Sequence, residues 1–445
     1  MPVTRSLRRP ARLVPLAFLG AITVGTALLS LPVSREGEAA APLLTALFTA
    51  TSAVCVTGLV TVDTTTYWSP FGQGVVLFLI QIGGFGIMSL ATLLGVMVSR
   101  RLGLSSRLVA QAETRTLALG EVRQVLGRIA VTVVVVEFVV ALLLISRFWF
   151  GYGMDLAEAL WHGVFHAISG FNNAGFALYS DNLIRYVDDP WICLPITTAV
   201  ILGSTGFPVL FELRRELRRP NRWSVHTKIV VWGSAVLLAM GTIGVLVLEW
   251  GNTRTLGPLG WSEKLLAAFF HSANPRTAGF NTIDYADVHP ATLAVTDVLM
   301  FIGGGSASTA GGIKVTTFFL LGFVIWTEIR GEPDVIAFHR RIDGAAQRQA
   351  MTVALLGVAV VALGTLSMLA VTDHSLDAVL FETISAFATV GLSTGITPTL
   401  PTAAQLVLVM LMFVGRVGTL TVGTALALRS HRRLYRLPEE RTIVG

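Results

Sequence analysis

The chain has 445 residues, of which 53% are hydrophobic and only 13% charged. Soluble domains average roughly 25% charged residues, so a water-soluble globular fold is excluded and an all-α integral membrane protein is expected. The net charge of +6 could suggest nucleic acid, but the cations gather in the loops between apolar blocks, and no nucleic-acid role is expected.

In chain order, the first apolar block, Leu13–Leu31, follows a basic start, RSLRRPARL, and is read as a retained first helix because no small-residue cleavage pattern follows it. A short, half-apolar segment comes next, ALFTATSAVCVTGL (46–59), and then a returning span interrupted by IGGFG (82–86). The same triplet recurs three times. IAVTVVVVEFVVALLLI (129–145) leads to VFHAISGFNNAGF (164–176) and a span with LGSTG (202–206). The third unit holds FFHSANPRTAGF (269–280) and a span broken by GGGSASTAGGIK (303–314). The fourth starts at Met351–Val371, continues through LFETISAFATVGL (380–392), and returns with VGRVG (414–418). Of 33 Lys and Arg, 25 fall in five clusters, 5–12, 100–128, 214–228, 330–348 and 429–441, on alternate sides of these units. By the positive-inside rule both termini are cytoplasmic, and the number of spans is even, namely eight.

The repeat predicts four modules, 1–112, 113–222, 223–345 and 346–445, the third with an elongated loop at 303–314 and the last with a cytoplasmic tail. Each short segment is too short to span and reads as re-entrant. Irregular backbone inside a bilayer must be buried in protein or line a water-filled cavity, so four such segments, entering from one side, imply pseudo-fourfold symmetry around one pore. Aligned on Gly58, Gly175, Gly279 and Gly391, the segments share a phenylalanine ten residues earlier.

The candidate ion site is the main chain ending at those glycines: Val56, Thr57 and Gly58; Asn173, Ala174 and Gly175; Thr277, Ala278 and Gly279; Thr389, Val390 and Gly391. Rings of backbone carbonyls can replace the water shell of a potassium ion, and glycine permits the backbone conformations that turn neighbouring carbonyls to one axis. No carboxylate stands within three residues of any of the four glycines, as conduction without tight binding requires.

Other residues have competing readings. Asp63 and Asp284 each follow a reference glycine by five residues; they serve an outer mouth that concentrates cations, cap turns, or do both. Arg276, three residues before Gly279, is expected to point away from the ion path and tie pore-loop carbonyls together. His162 and His166 are spaced to hold a metal, but no further ligands stand nearby, so hydrogen-bonding roles are preferred and no metal beyond potassium is expected. The two cysteines, Cys55 and Cys193, have neither disulfide nor metal spacing. GGIK fails the phosphate-loop pattern, because Ile313 separates Gly312 from Lys314. The flexible run Gly303, Gly304, Gly305, Ser306, Ala307, Ser308, Thr309, Ala310, Gly311 and Gly312, with Lys314 at its end, is a candidate gate. Arg416, a charge within the last span, is its expected counterpart.

AVCVTGLVTVDT, PRTAGFNTID, ATVGLSTG, GGGSASTAGGIK and GRVGTLT resemble the membrane subunit of the Trk/Ktr/HKT potassium transporters, in particular the KtrB type, over essentially the whole chain. The resemblance implies potassium selectivity, since Gly58 stands where a serine is associated with sodium. It implies that 303–314 is an intramembrane gating loop with Arg416 beneath the filter. It also implies a plasma-membrane homodimer resting on a cytoplasmic, nucleotide-binding RCK-type (KtrA-like) ring; no nucleotide pattern stands in this chain, which needs no cofactor of its own. RRELRRPNR (214–222) and the C-terminal tail are the expected docking surfaces. Transport runs inward, down the ion's gradient or coupled to sodium. The alternative is a secondary permease for a small organic solute, with polar side chains converging at mid-membrane. An intramembrane enzyme ranks last, for want of a nucleophile–base pair.

Overall fold

The computed structural model describes residues 10–37, 39–101 and 119–418. They form helices α1 (Pro10–Leu29), α2 (Leu43–Val54), α3 (Pro70–Arg101), α4 (Leu119–Ser146), α5 (Leu156–Phe171), α6 (Pro190–Thr205) and α7 (Phe207–Glu216). The second half adds α8 (Val225–Glu249), α9 (Trp261–Ala273), α10 (Pro290–Phe301), α11 (Val315–Arg330), α12 (Gly344–Leu369), α13 (Leu376–Ala388) and α14 (Thr402–Phe413). A two-residue hairpin, β1 (Ile336–Ala337) against β2 (Arg340–Arg341), joins α11 to α12.

Among the described residues four helices are long and apolar enough to cross a membrane, or five if α6 and α7 count as one bent span. Their outward faces expose large apolar residues such as Val131, Phe138, Ile243, Val247, Leu355 and Leu363. On a soluble protein such patches would be a liability; here they mark lipid-facing surface, and the chain is a multi-pass membrane protein.

The short helices α2, α5, α9 and α13 are inner elements. Each packs on the helix before it: α2 on α1, α5 on α4, α9 on α8, α13 on α12. A second set of contacts runs round the molecule. α3 packs on α5, α6 on α9, α10 on α13, and α14 on α2, so the cycle closes between the last unit and the first. The starts are fixed locally. Pro70, Pro190 and Pro290 open their helices, where the missing N–H is not needed. Asp155, Asp189 and Ser224 cap theirs by accepting from Ala157, Trp191 and Thr227.

The aligned phenylalanines are core anchors, with one correction of register. Phe48, Phe165 and Phe381 are fully buried, but in the third unit the fully buried ring is Phe270, and Phe269 is only half-buried. The turn after α9 is one residue tighter. The Ala278 amide bonds back four residues to Asn274, whereas Thr57, Ala174 and Val390 bond back five, to Ser52, Ser169 and Ser385.

The glycine breaks in the returning spans are four different structures. α3 runs unbroken through IGGFG, and LGSTG ends in a bend of 101° between α6 and α7 at Gly206. The third opens into the long loop, and VGRVG forms a π-helical turn over Val414–Gly418. What the glycines share is close approach. A β-carbon on Gly83, Gly203 or Gly415 would overlap the carbonyl oxygen of Val54, Phe171 or Phe387, each four residues before its reference glycine. On Gly303 it would overlap the Gly311 carbonyl, part of the loop itself.

Candidate ion-conduction site

The four reference glycines lie in one closed ring of backbone. A β-carbon on Gly58 would overlap the carbonyl oxygen of Ala174; on Gly175, that of Ala278; on Gly279, that of Val390; on Gly391, that of Thr57. Each glycine therefore faces the carbonyl of the residue preceding the next glycine. All four have positive φ, +96°, +71°, +74° and +94°. The residue two before each is also left-handed: Val56, Asn173, Thr277 and Thr389 have φ of 56°, 60°, 82° and 50°. Non-glycine residues adopt this region rarely; a fourfold repeat of it is a built feature. All twelve candidate filter residues are brought together here, Gly391 half-buried at the rim and Ala174, Ala278, Val390 and their preceding residues fully enclosed.

Two kinds of side chain hold the ring. Ser52 and Ser385 accept from the amides of Gly58 and Gly391, and Ser169 donates to the Phe176 carbonyl. The residue after each buried phenylalanine reaches the chain beyond the filter. His166 Nε2 accepts from Leu178, His271 Nε2 from Thr282 and Ile283 at 3.1 Å each, and a Glu382 carboxylate oxygen from Thr394 at 2.9 Å. Leu178, Thr282 and Thr394 each stand three residues past their glycine. Since His166 Nδ1 faces the His162 carbonyl at 2.7 Å, it carries the proton and donates. The His162 ring meets the Tyr179 hydroxyl. Both histidines are thus committed to hydrogen bonds, and among the described residues no group of three His, Cys, Asp or Glu gathers as a metal site.

Arg276 is buried and points away from the ring, as expected, but ties no pore-loop carbonyl; Nη2 donates to Ser234 on α8 at 2.9 Å. Asp63 and Asp284 sit as caps, accepting from Thr65 and Ala286. Asp63 also accepts from Ser180, so it staples the first segment to the second outside the ring.

The loop 303–314 packs against the inner end of the filter. Gly311 lies on the Ala388 carbonyl and the Thr389 hydroxyl. The Thr309 hydroxyl lies 3.2 Å from the Asn173 amide. Arg416 is buried and Nη1 donates to the Thr309 carbonyl, while Lys314 Nζ donates to Ala310 at 2.6 Å. The two cations hold consecutive carbonyls and do not bond to each other. Arg416 Nε and Nη2 find no hydrogen-bond partner among the described residues. The loop also completes the bend at Gly206: Gly305 donates to Ser204, Thr309 to Gly203, and Phe207 to Ala307. Ser308 closes a turn onto Gly305, and Ser306 meets Thr316. Gly303, Gly304, Ala310 and Gly312 are buried in the same packing, and Ala307 is left-handed at φ 58°.

Sequence reasoning missed a polar contact behind the filter. Asn172 donates to Gln81 at 2.7 Å and to the buried Glu137 at 3.0 Å, and Gln81 donates to Glu137. The lone acid in the valine run of α4 was the available signal, since a carboxylate at such depth needs partners.

A family model described as TrkH, cation transport protein, matches residues 17–432. The chain belongs to that family. Ktr system potassium uptake protein B of Bacillus subtilis is 38% identical, the match covering 98% of this chain and 97% of the relative. The protein of the same name from Vibrio alginolyticus is 36% identical (98% and 94%), and the potassium/sodium uptake protein NtpJ of Enterococcus hirae is 36% identical (98% and 97%). The crystal structure of the potassium transporter TrkH from Vibrio parahaemolyticus superposes with a TM-score of 0.69 over 93% of this chain and 85% of that one. At 18% identity it speaks for the TrkH fold alone.

Proposed function

We propose that this TrkH-family chain takes up potassium through a selectivity filter formed by the four glycine-ended segments. The closed ring of glycines, each against the carbonyl before the next, carries the reading. It concentrates main-chain oxygens of Val56–Thr57, Asn173–Ala174, Thr277–Ala278 and Thr389–Val390 at one place, which suits a dehydrated monovalent cation. Family membership and relatives named for potassium uptake support it. NtpJ, named for both potassium and sodium, keeps sodium coupling in the reading.

In this reading the architecture is four helix–pore loop–helix modules, 1–112, 113–222, 223–345 and 346–445, with eight spans around one pore. The first boundary lies outside the described residues, as does the C-terminal tail expected to dock a partner. The loop 303–314 obstructs the path inside the filter, with Arg416 and Lys314 as its latches and Asp63 and Asp284 at the outer mouth. The protein works as a plasma-membrane homodimer with cytoplasmic termini and a separate nucleotide-binding ring, docked on 214–222.

Rubidium uptake into proteoliposomes tests this. Saturable uptake, competed by potassium, is expected. Uptake of an amino acid with no monovalent-cation flux would instead favour a solute permease.

A further inference from the structure

The basic loops do more than set topology. On the side that carries them, a cleft of about 2010 Å³ is lined by Arg128, Arg214, Arg215, Arg222, Lys228 and Arg340. Two acids share the cleft, and both are engaged. Glu212 accepts from the Ser224 amide, the Ser224 hydroxyl and the Thr227 hydroxyl, while Glu216 lies 3.6 Å from Arg215. Among the described residues Arg128, Arg214, Arg222, Lys228 and Arg340 have no ion-pair partner within 4.0 Å. Five uncompensated cations around one cleft repel each other unless an anion joins them.

A second feature lies on the same helix. One turn past Val131, which lines the cleft, an apolar groove of about 510 Å³ begins at Val135 and follows Val139 and Leu143 against Trp191 and Leu194 of α6. Val135, Val139, Leu143, Trp191 and Leu194 are all exposed. At 1.5 Å per residue the groove starts ~10 Å along α4 from Arg128, within the ~15 Å depth of a single leaflet. A soluble anion would use the cleft and leave the groove bare. A protein partner at the membrane surface would reach only the cleft.

We infer that the cleft and groove together bind an anionic phospholipid, its phosphate among Arg128, Arg222 and Lys228 and an acyl chain along Val135–Leu143. Arginine forks match phosphate oxygens in pairs, and basic pockets between membrane helices on the cytoplasmic side suit lipid head groups. The site touches neither the filter nor the loop, so its failure would leave the transport reading intact.

The test is native mass spectrometry of the delipidated full chain in detergent, titrated with phosphatidylglycerol or phosphatidylcholine. Phosphatidylglycerol should bind saturably and at least ~10-fold more tightly, since each cation near a membrane surface contributes about a decade or less. The combined Arg128→Gln, Arg222→Gln and Lys228→Gln variant should lose that preference. Val139→Trp fills the groove and leaves the cations in place; it should weaken long-chain but not short-chain phosphatidylglycerol, and it decides the matter if the triple variant does not fold. Equal affinity for both lipids, unchanged long-chain affinity in Val139→Trp, or complete displacement by millimolar inorganic phosphate would overturn the proposal. So would a triple variant that keeps the lipid preference and loses only binding of a cytoplasmic protein, which would make the cleft a docking surface.

Discussion

Gly58 shows how one missing side chain can set a pore. Its φ of +96° and its contact with the Ala174 carbonyl leave no room for a β-carbon. Gly58→Ser must therefore displace a carbonyl of the ring, and a hydroxyl arrives in its place. The potassium-to-sodium preference should fall, by roughly tenfold for ~1.4 kcal/mol of lost discrimination; a competition uptake assay reads this directly, and an unchanged ratio would count against the filter assignment. His271 acts one layer out. Its Nε2 serves the Thr282 and Ile283 amides, so His271→Ala strands two buried donors. A loss of about 2–4 kcal/mol is expected, visible as a lower unfolding midpoint in detergent, with His271→Gln losing less because its amide oxygen still accepts. The glycines were legible in the sequence because the repeat displays them four times. His166, His271 and Glu382 were not recognised as a set, because aligning the third unit on Phe269 puts His271 out of step. Pairing Phe270 with Phe165 and Phe381 restores it.

Among the elements, the loop 303–314 is where asymmetry enters the fourfold plan. Its anomaly in the sequence, five glycines and a lysine within an apolar run, led directly to a gate assignment with Arg416 opposite. The contact between Arg416 and Thr309 agrees with that pairing. The bend of α6 was not legible. LGSTG reads like the other glycine breaks, and only the packed loop, supplying donors to Gly203 and Ser204, makes a 101° turn tolerable inside a membrane. The loop is thus both obstruction and support. Arg416→Ser should raise rubidium flux several-fold with little loss of stability, since Lys314 still holds Ala310. Deleting Gly305–Gly311 should raise flux further while lowering the unfolding midpoint, because the bend loses its donors. A deletion protein that folds and no longer conducts would mark the loop as scaffold only.

For the whole molecule, closure is the organising fact. Each returning helix packs on the short helix of the next unit, and α14 on α2 completes the circle. Four unequal copies on one chain allow three to keep the filter while one gains the loop, which identical subunits could not do. The architecture was legible because the hydropathy repeat and the alternating basic clusters carry it. The buried link of Asn172, Gln81 and Glu137 across the first two units was not, because its members lie far apart in sequence and meet only after the circle closes.

Rubidium uptake into proteoliposomes holding the purified chain, measured with and without sodium and with Gly58→Ser alongside, bears most directly on the central claim. The account predicts saturable uptake in the parent protein, inhibited by potassium, with sodium becoming the stronger competitor in Gly58→Ser. Absence of rubidium flux in folded protein, or the same ion preference in both, would contradict it.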